Sequence, residues 1–254
     1  MPRQELFAVG WGLIKEGGGP YTLSEALLRK LKSLGYAGIE LPVASIMAYD
    51  NEAGRSSGAF AAALVATNTR CIAGVFSSGS PPIPGNLGIT SQRGIVHLGD
   101  SDMKGTRDVK GHFTIWAAQV REALALGSHL VAGINSHSGK DYFSESEADE
   151  FFTLAAKLEA EEAVGLGIKI THETHRARVL YSPWVAPRIL AAHPHIRYTA
   201  DLSHWSCVSE TGTEDPEVNA VVAALAPRVL HVHARVGFEE GPQVPDPRGP
   251  EWKH

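Results

Sequence analysis

The chain has 254 residues, 43% of them hydrophobic and 20% charged, which suits one large α/β domain with a sizeable core. A formal net charge of −5 leaves no basic footprint for a polyanion, so neither nucleic acid nor an acidic membrane surface is expected as a partner. Two cysteines, Cys71 and Cys207, make no disulfide framework. No apolar window reaches the roughly 18 residues of a membrane span, and the opening residues lack the basic-then-apolar pattern of a secretory signal. A cytoplasmic protein with reduced thiols is the expectation.

Taken in order, the chain alternates between strand-like and helix-like runs. Leu6–Val9 reads as a first strand. A helix follows, capped by Thr22 or Ser24, with Ala26, Leu27, Leu31 and Leu34 at helical spacing and Gly35 as its stop. Ala37–Pro42 is a second strand with Glu40 near its end, and a helix over about Ser57–Ala66 leads to a third strand, Cys71–Phe76. The rhythm then breaks. Residues 77–111 are rich in Gly, Pro, Ser and Asp, with only Gly94–Leu98 strand-like, and read as an irregular insertion that is either a lid, a hairpin or a disordered segment.

Alternation resumes with a helix over Phe113–Leu126 and a strand His129–Ile134, followed by Asn135 and His137. The next helix, about Glu145–Val164, carries Phe151, Phe152, Leu154, Ala155 and Leu158 as its apolar stripe and stops at Gly165–Gly167. A fifth strand begins at Ile168 and ends in Thr171-His172-Glu173-Thr174-His175. Helix Pro183–Ala192, strand Ile196–Ala200, helix Pro216–Leu225 and strand Val229–Val232 complete the series. About seven β-α repeats with helix-length crossovers predict a parallel sheet in a single domain over 1–254. Only about 20 residues follow the seventh strand, too few for the roughly 30 of a further βαβ unit.

In parallel α/β folds, ligands collect at the carboxyl ends of the strands. Glu173, Asp201 and His233 each stand at such an end, with His172, His175, His204 and His231 beside them. One imidazole with hard carboxylate oxygens suits Mn²⁺, Mg²⁺, Co²⁺ or Zn²⁺, and the lack of thiolates argues against a structural zinc site. Each residue taken singly also fits a polar strand end or the N-cap of a following helix. Strand alternation puts His172 on the face opposite Glu173 and His175 past the strand end, which leaves Glu173 as the ligand of that stretch.

The Glu-ended strand, the Asp-x-x-His of Asp201 and His204, and the His-x-His of His231 and His233 resemble the xylose isomerase-like TIM barrels. The resemblance is closer to their sugar phosphate isomerase/epimerase group, which includes ketose epimerases, inosose dehydratases and hydroxypyruvate isomerases. It runs from the second strand through the seventh. It implies a (β/α)8-type barrel in which Glu173, Asp201 and His233 bind one divalent metal ion. It also implies that His204 contacts substrate, that Arg235 meets a substrate oxygen or phosphate, and that Glu40 lines the pocket, with His231 in a supporting place. His175 and Arg176 are candidate contacts for a substrate carboxylate or phosphate, though a solvated loop fits them equally. Asn135 and His137 face the same end, where a helix-capping turn is their other reading. Trp11 and Trp205 are candidate pocket walls, with core packing the commoner use of such aromatics.

The resemblance breaks at the eighth strand, where the family has a fourth ligand, a glutamate that often serves as acid/base. No complete eighth βα unit is found; Glu239, Glu240 and Glu251 are the only later glutamates, and none lies on a strand-like run. The implied chemistry is proton abstraction next to a carbonyl of a sugar or sugar phosphate, with the metal stabilising an enediolate and Glu173 moving the proton. A related dehydratase would use the same ligands. Two other readings stand beside it. One is a catalytically degenerate, incomplete barrel that binds without turnover. The other is an apurinic-site endonuclease-like enzyme, which the acidic charge and the absence of histidines on strands two and three disfavour. An exposed parallel edge is usually covered, which points to a homo-oligomer.

Overall fold

The computed structural model describes residues 4–15, 18–52, 58–77, 109–212, 214–239, 241, 244 and 248–249. Seven strands are hydrogen-bonded in sequence order, β1 (Phe7–Val9), β2 (Gly38–Pro42), β3 (Arg70–Phe76), β4 (Val131–His137), β5 (Ile170–Glu173), β6 (Arg197–Ala200) and β7 (Val229–Val232). The chain divides into two compact units, Met1–Asn135 with Leu158–Lys169, and Ser136–Lys157 with Ile170–His254.

In the first unit β1 pairs parallel with β2 and β2 with β3, aligning Val9 with Glu40 and Glu40 with Ile72. Every residue of β2 but Pro42 is buried, as is the middle of β3. These are therefore parallel strands covered on both faces. Helix α1 (Glu25–Ser33) starts where Ser24 accepts from the Leu27 N–H at 3.3 Å, and turns its buried Leu27, Leu28 and Leu31 inward. It ends at Gly35, whose φ of +94° only glycine takes without strain. Gly38 is required for another reason: a Cβ there would overlap the Arg70 carbonyl of the neighbouring strand. Helices α2 (Val43–Asn51), α3 (Ala59–Thr67) and α4 (Val109–Ala125) complete this unit's framework, with Phe60, Leu64, Trp116 and Val120 fully buried.

In the second unit β5 pairs parallel with β6 and β6 with β7, with a register shift between Tyr198 and Thr199. Helix α5 (Glu145–Leu158) opens on a capping box in which Ser144 and Glu147 exchange hydrogen bonds. It runs on into a π turn (Glu159–Ala163) and a 3₁₀ turn (Val164–Leu166) of the first unit, ending at Gly167 with φ +71°. Helices α6 (Ala186–Ala192), α7 (Leu202–Ser209) and α8 (Pro216–Leu225) follow. Strand β5 is buried throughout, whereas β7 exposes Leu230 and Val232. Among the described residues no strand follows β7.

Several boundaries differ from the sequence expectation. Helices α2 and α7 were not predicted, α4 begins at Val109 rather than Phe113, and α6 at Ala186 rather than Pro183. Strand β4 runs on through Asn135 and His137. The helix-capping turn proposed for these two residues is thus replaced by strand. Gly94–Leu98 and most of the 77–111 insertion lie outside the described residues. Among those described, both cysteines are free, and no helix is long and apolar enough to cross a membrane.

Candidate metal centre

The second unit gathers its chemistry at the ends of β5, β6 and β7. Beyond Glu173 the pairing continues by one bond, from the Thr174 N–H to the Thr199 carbonyl at 3.1 Å. The Thr174 hydroxyl then clamps the next strand, accepting from the Asp201 N–H and donating to the Asp201 carbonyl, both at 2.9 Å. Asp201 divides its two oxygens. Oδ1 caps helix α7, accepting from Ser203 N at 3.2 Å and Ser203 Oγ at 2.5 Å. Oδ2 faces the neighbouring strand ends. The capping reading of Asp201 is met by Oδ1, which leaves Oδ2 available for the ligand reading.

His204 follows one turn into α7, and its Nε2 lies 3.6 Å from Asp201 Oδ2 and 4.0 Å from Glu173 Oε1. Past β7 the His233 N–H donates to the Ala200 carbonyl at 3.0 Å, which extends the ladder and sets the imidazole. His233 Nδ1 lies 3.4 Å from Glu173 Oε1 and 3.6 Å from Asp201 Oδ2. Glu173, Asp201 and His204 offer ligand atoms within 4.8 Å of one another, His233 Nδ1 lies beside both carboxylates, and Glu173, Asp201 and His204 are each only about 2% exposed. Donors on one ion, with bonds of about 2.0–2.2 Å at tetrahedral angles, stand about 3.3–3.6 Å apart. Three of the four distances fall at that spacing. The donor set is consistent with a bound metal ion.

The other oxygen of Glu173 has its own partner, His137 Nε2 at 2.8 Å. Burial pushes the Glu173 carboxyl up, but the imidazoles of His137 and His233 outweigh it and hold the group well below the usual carboxylate range. Burial lowers His204 to about 4 against the opposing pull of Asp201 and Glu173, so its ring is neutral near pH 7 with a lone pair to offer. His175 stacks between the rings of His137 and His204, with centroids 4.3 and 3.9 Å away, and its Nδ1 meets the Arg176 carbonyl at 2.5 Å. Burial and then His137 depress it well below the ordinary histidine value.

The remaining predicted site residues are distributed as follows. Arg176 and Arg235 are exposed beside the cluster residues of their own segments. His231 is half-buried, its ring edge-on to His233 at 5.1 Å. In the first unit Glu40 and Asn135 are both buried, and Asn135 Nδ2 donates to Glu40 Oε1 at 2.9 Å. Strand alternation places His172 away from Glu173, and it bonds to Ser138 Oγ at 2.6 Å with its ring edge-on to Phe152. Burial lowers it to about 3, the signature of a neutral core histidine. Trp205 is also core, fully buried with Nε1 donating to the Leu180 carbonyl, whereas Trp11 is 55% exposed. Thr174 and Ser203 carry no signal in the sequence beyond their places next to a candidate ligand.

No family model matches the chain. No curated protein is similar to it at a significant level. Solved structures are similar in fold. An AP endonuclease, family 2, from Brucella melitensis matches with TM-score 0.57 at 15% identity, over 90% of this chain and 78% of that one. The 3-keto-D-glucoside 4-epimerase from E. coli matches with TM-score 0.56 at 12% identity, over 91% and 78%. A xylose isomerase domain protein from Alicyclobacillus acidocaldarius matches with TM-score 0.54 at 13% identity, over 94% and 78%. The fold is α/β and TIM-barrel-like, with a xylose isomerase domain protein among the similar structures and seven strands among the described residues.

Proposed function

We propose that this protein is a divalent-metal-dependent isomerase or epimerase of a sugar or sugar phosphate. The observation that carries the reading is the approach of His233 Nδ1 to Glu173 Oε1 and Asp201 Oδ2, at 3.4 and 3.6 Å, with both carboxylates buried, at three successive strand ends. Fold likeness to a 3-keto-D-glucoside 4-epimerase and a xylose isomerase domain protein is consistent with it.

Glu173, Asp201 and His233 would hold the ion, which would supply positive charge to two adjacent substrate oxygens as the C–H beside the carbonyl loses its proton. Glu173 has a second task. Its Oε1 belongs to the ligand set, while Oε2 is aimed by His137 and is the oxygen that takes the proton and returns it. Held deprotonated over the physiological range, the carboxylate is free to accept a proton, and its depressed pKa makes it a weak base until the substrate enters. The exposed guanidinium groups of Arg235 and Arg176 suit a phosphate or a cluster of hydroxyls at the far end of the substrate.

Incubating the protein with Mn²⁺ or Co²⁺ and a panel of ketoses, aldoses and their phosphates in D₂O tests the reading. A substrate incorporates deuterium at the carbon next to its carbonyl, seen by proton NMR. Glu173→Gln lowers that rate by about 10²–10⁴-fold, the usual worth of a positioned acid/base. Metal binding without exchange on any sugar would instead make the protein a binding barrel, and a protein that takes up no divalent ion would refute the proposal outright.

A further inference from the structure

The centre has a donor that the three-ligand set leaves out. We infer that His204 is a direct ligand of the ion. The centre would then be two oxygens and two nitrogens, complete without any eighth strand and selective for Zn²⁺ and Co²⁺ over Mg²⁺. The inference rests on the proposed metal-dependent reading.

Three features of the second unit support it. First, His204 Nε2 is 3.6 Å from Asp201 Oδ2, the same distance as His233 Nδ1. Asp201 Oδ2 therefore sees two imidazole nitrogens at equal range, and distance gives no ground for making one a ligand and not the other. Second, His204 is as buried as the carboxylates, 2% exposed, and its place is set by the first turn of α7, where its N–H reaches the Asp201 carbonyl at 3.3 Å. That turn holds Nε2 beside the carboxylate oxygens, well placed to close a cage around an ion. Third, all four donors come from one compact unit. Asp201 and His204 share one helical turn, pinned by the Ser203 and Thr174 hydrogen bonds described above, so the pair is preorganised as a chelate.

The 4.0 Å gap between His204 Nε2 and Glu173 Oε1 is wider than the others. The donor set also chooses the metal. Two imidazoles favour Zn²⁺ and Co²⁺, whereas Mg²⁺ prefers oxygen ligands and its own water.

The test reads metal rather than turnover. EDTA-treated wild type and His204→Ala are titrated with Co²⁺ in the absence of any sugar, following the visible d–d absorption, and Zn²⁺ and Mg²⁺ are then competed against it. Wild type takes one Co²⁺ per chain, displaced by Zn²⁺ and not by millimolar Mg²⁺. His204→Ala binds Co²⁺ about 100-fold or more weakly, at least the upper cost of losing an outer-shell partner, and its absorption band changes shape. His204→Cys covers the case in which the alanine variant folds poorly, since a ligating thiolate adds a sulfur-to-cobalt charge-transfer band. Unchanged Co²⁺ affinity and spectrum in His204→Ala, or no charge-transfer band in a folded His204→Cys, would overturn the inference and leave the three-ligand reading intact. Loss of Co²⁺ binding is expected in Asp201→Ala, and a wild type that binds no Co²⁺ at all would remove both readings together.

Discussion

Thr174 makes no contact with the point where the donors converge, yet it should govern that point. Its hydroxyl accepts from the Asp201 N–H and donates to the Asp201 carbonyl, each at 2.9 Å, in a fully buried setting. Thr174→Val keeps the shape of the side chain, so no cavity opens, but both hydrogen bonds are lost. The carbonyl keeps the His204 N–H at 3.3 Å; the Asp201 N–H is left buried without its acceptor. Such an orphaned donor costs about 1–3 kcal/mol, partly offset by under about 1 kcal/mol from the added methyl. A net loss of about 1–2 kcal/mol is expected in urea unfolding of the metal-free protein, with the slope unchanged. Thr174→Ser should lose a similar amount, about 1 kcal/mol, for its missing methyl while keeping both bonds. The two variants separate on metal affinity: Val weakens Co²⁺ binding about 10-fold or more, and Ser leaves it close to wild type. Equal Co²⁺ affinity in Val and Ser would show that Asp201 is positioned by other means, and the clamp reasoning would fail.

Arg228 closes the end of α6, donating to the carbonyls of Leu190, His193 and Ile196. Arg228→Ala should lower stability by about 2–3 kcal/mol, read by circular dichroism on heating or in urea, and Arg228→Lys should recover only part of it because one ammonium cannot span three acceptors. Burial pushes the Cys71 thiol up to about 12, so it resists a thiol reagent at pH 8 in the native protein while half-buried Cys207 reacts, and both react after unfolding. Because the unfolded thiol ionises first, the folded state loses stability as pH rises from about 9 towards about 12, by up to roughly 1.4 kcal/mol per pH unit, and Cys71→Ala should flatten that part of the alkaline unfolding curve.

Much of the fold could be read from local pattern, because parallel strands buried on both faces are apolar runs and their connections are helix-length. Helix α8 and strand β7 fall where the spacing put them, from Pro216 after its Asp215 cap to Val232. The missed helices are those whose signals were absent or taken for something else. Helix α2 follows Pro42 with no side-chain cap, and its apolar residues form no single stripe. Helix α7 opens on Asp201, whose cap bond to Ser203 is the helix-start signal, but a ligand and a cap look alike in sequence and no apolar stripe follows to tell them apart.

The candidate site divides along the same line. A carboxylate or imidazole at the end of a buried strand is visible in sequence, which is why Glu173, Asp201 and His233 stand out. What the second oxygen of each carboxylate does is decided by register and by a neighbouring chain segment, and spacing carries no trace of that. Glu173 Oε2 goes to His137, from a strand that runs three residues further than its apolar pattern, and Asp201 Oδ1 goes to the helix it starts. These engagements leave one oxygen of each acid facing the convergence point, so the geometry of the centre is set by the hydrogen bonds that hold the other oxygens away. His204 then stands where a fourth donor is wanted because the cap formed by Asp201 fixes the turn that carries it. A single aspartate thereby starts the helix and, in the proposed centre, would contribute one donor and place the next, so Asp201→Asn should disturb Co²⁺ binding more than its lost charge alone would.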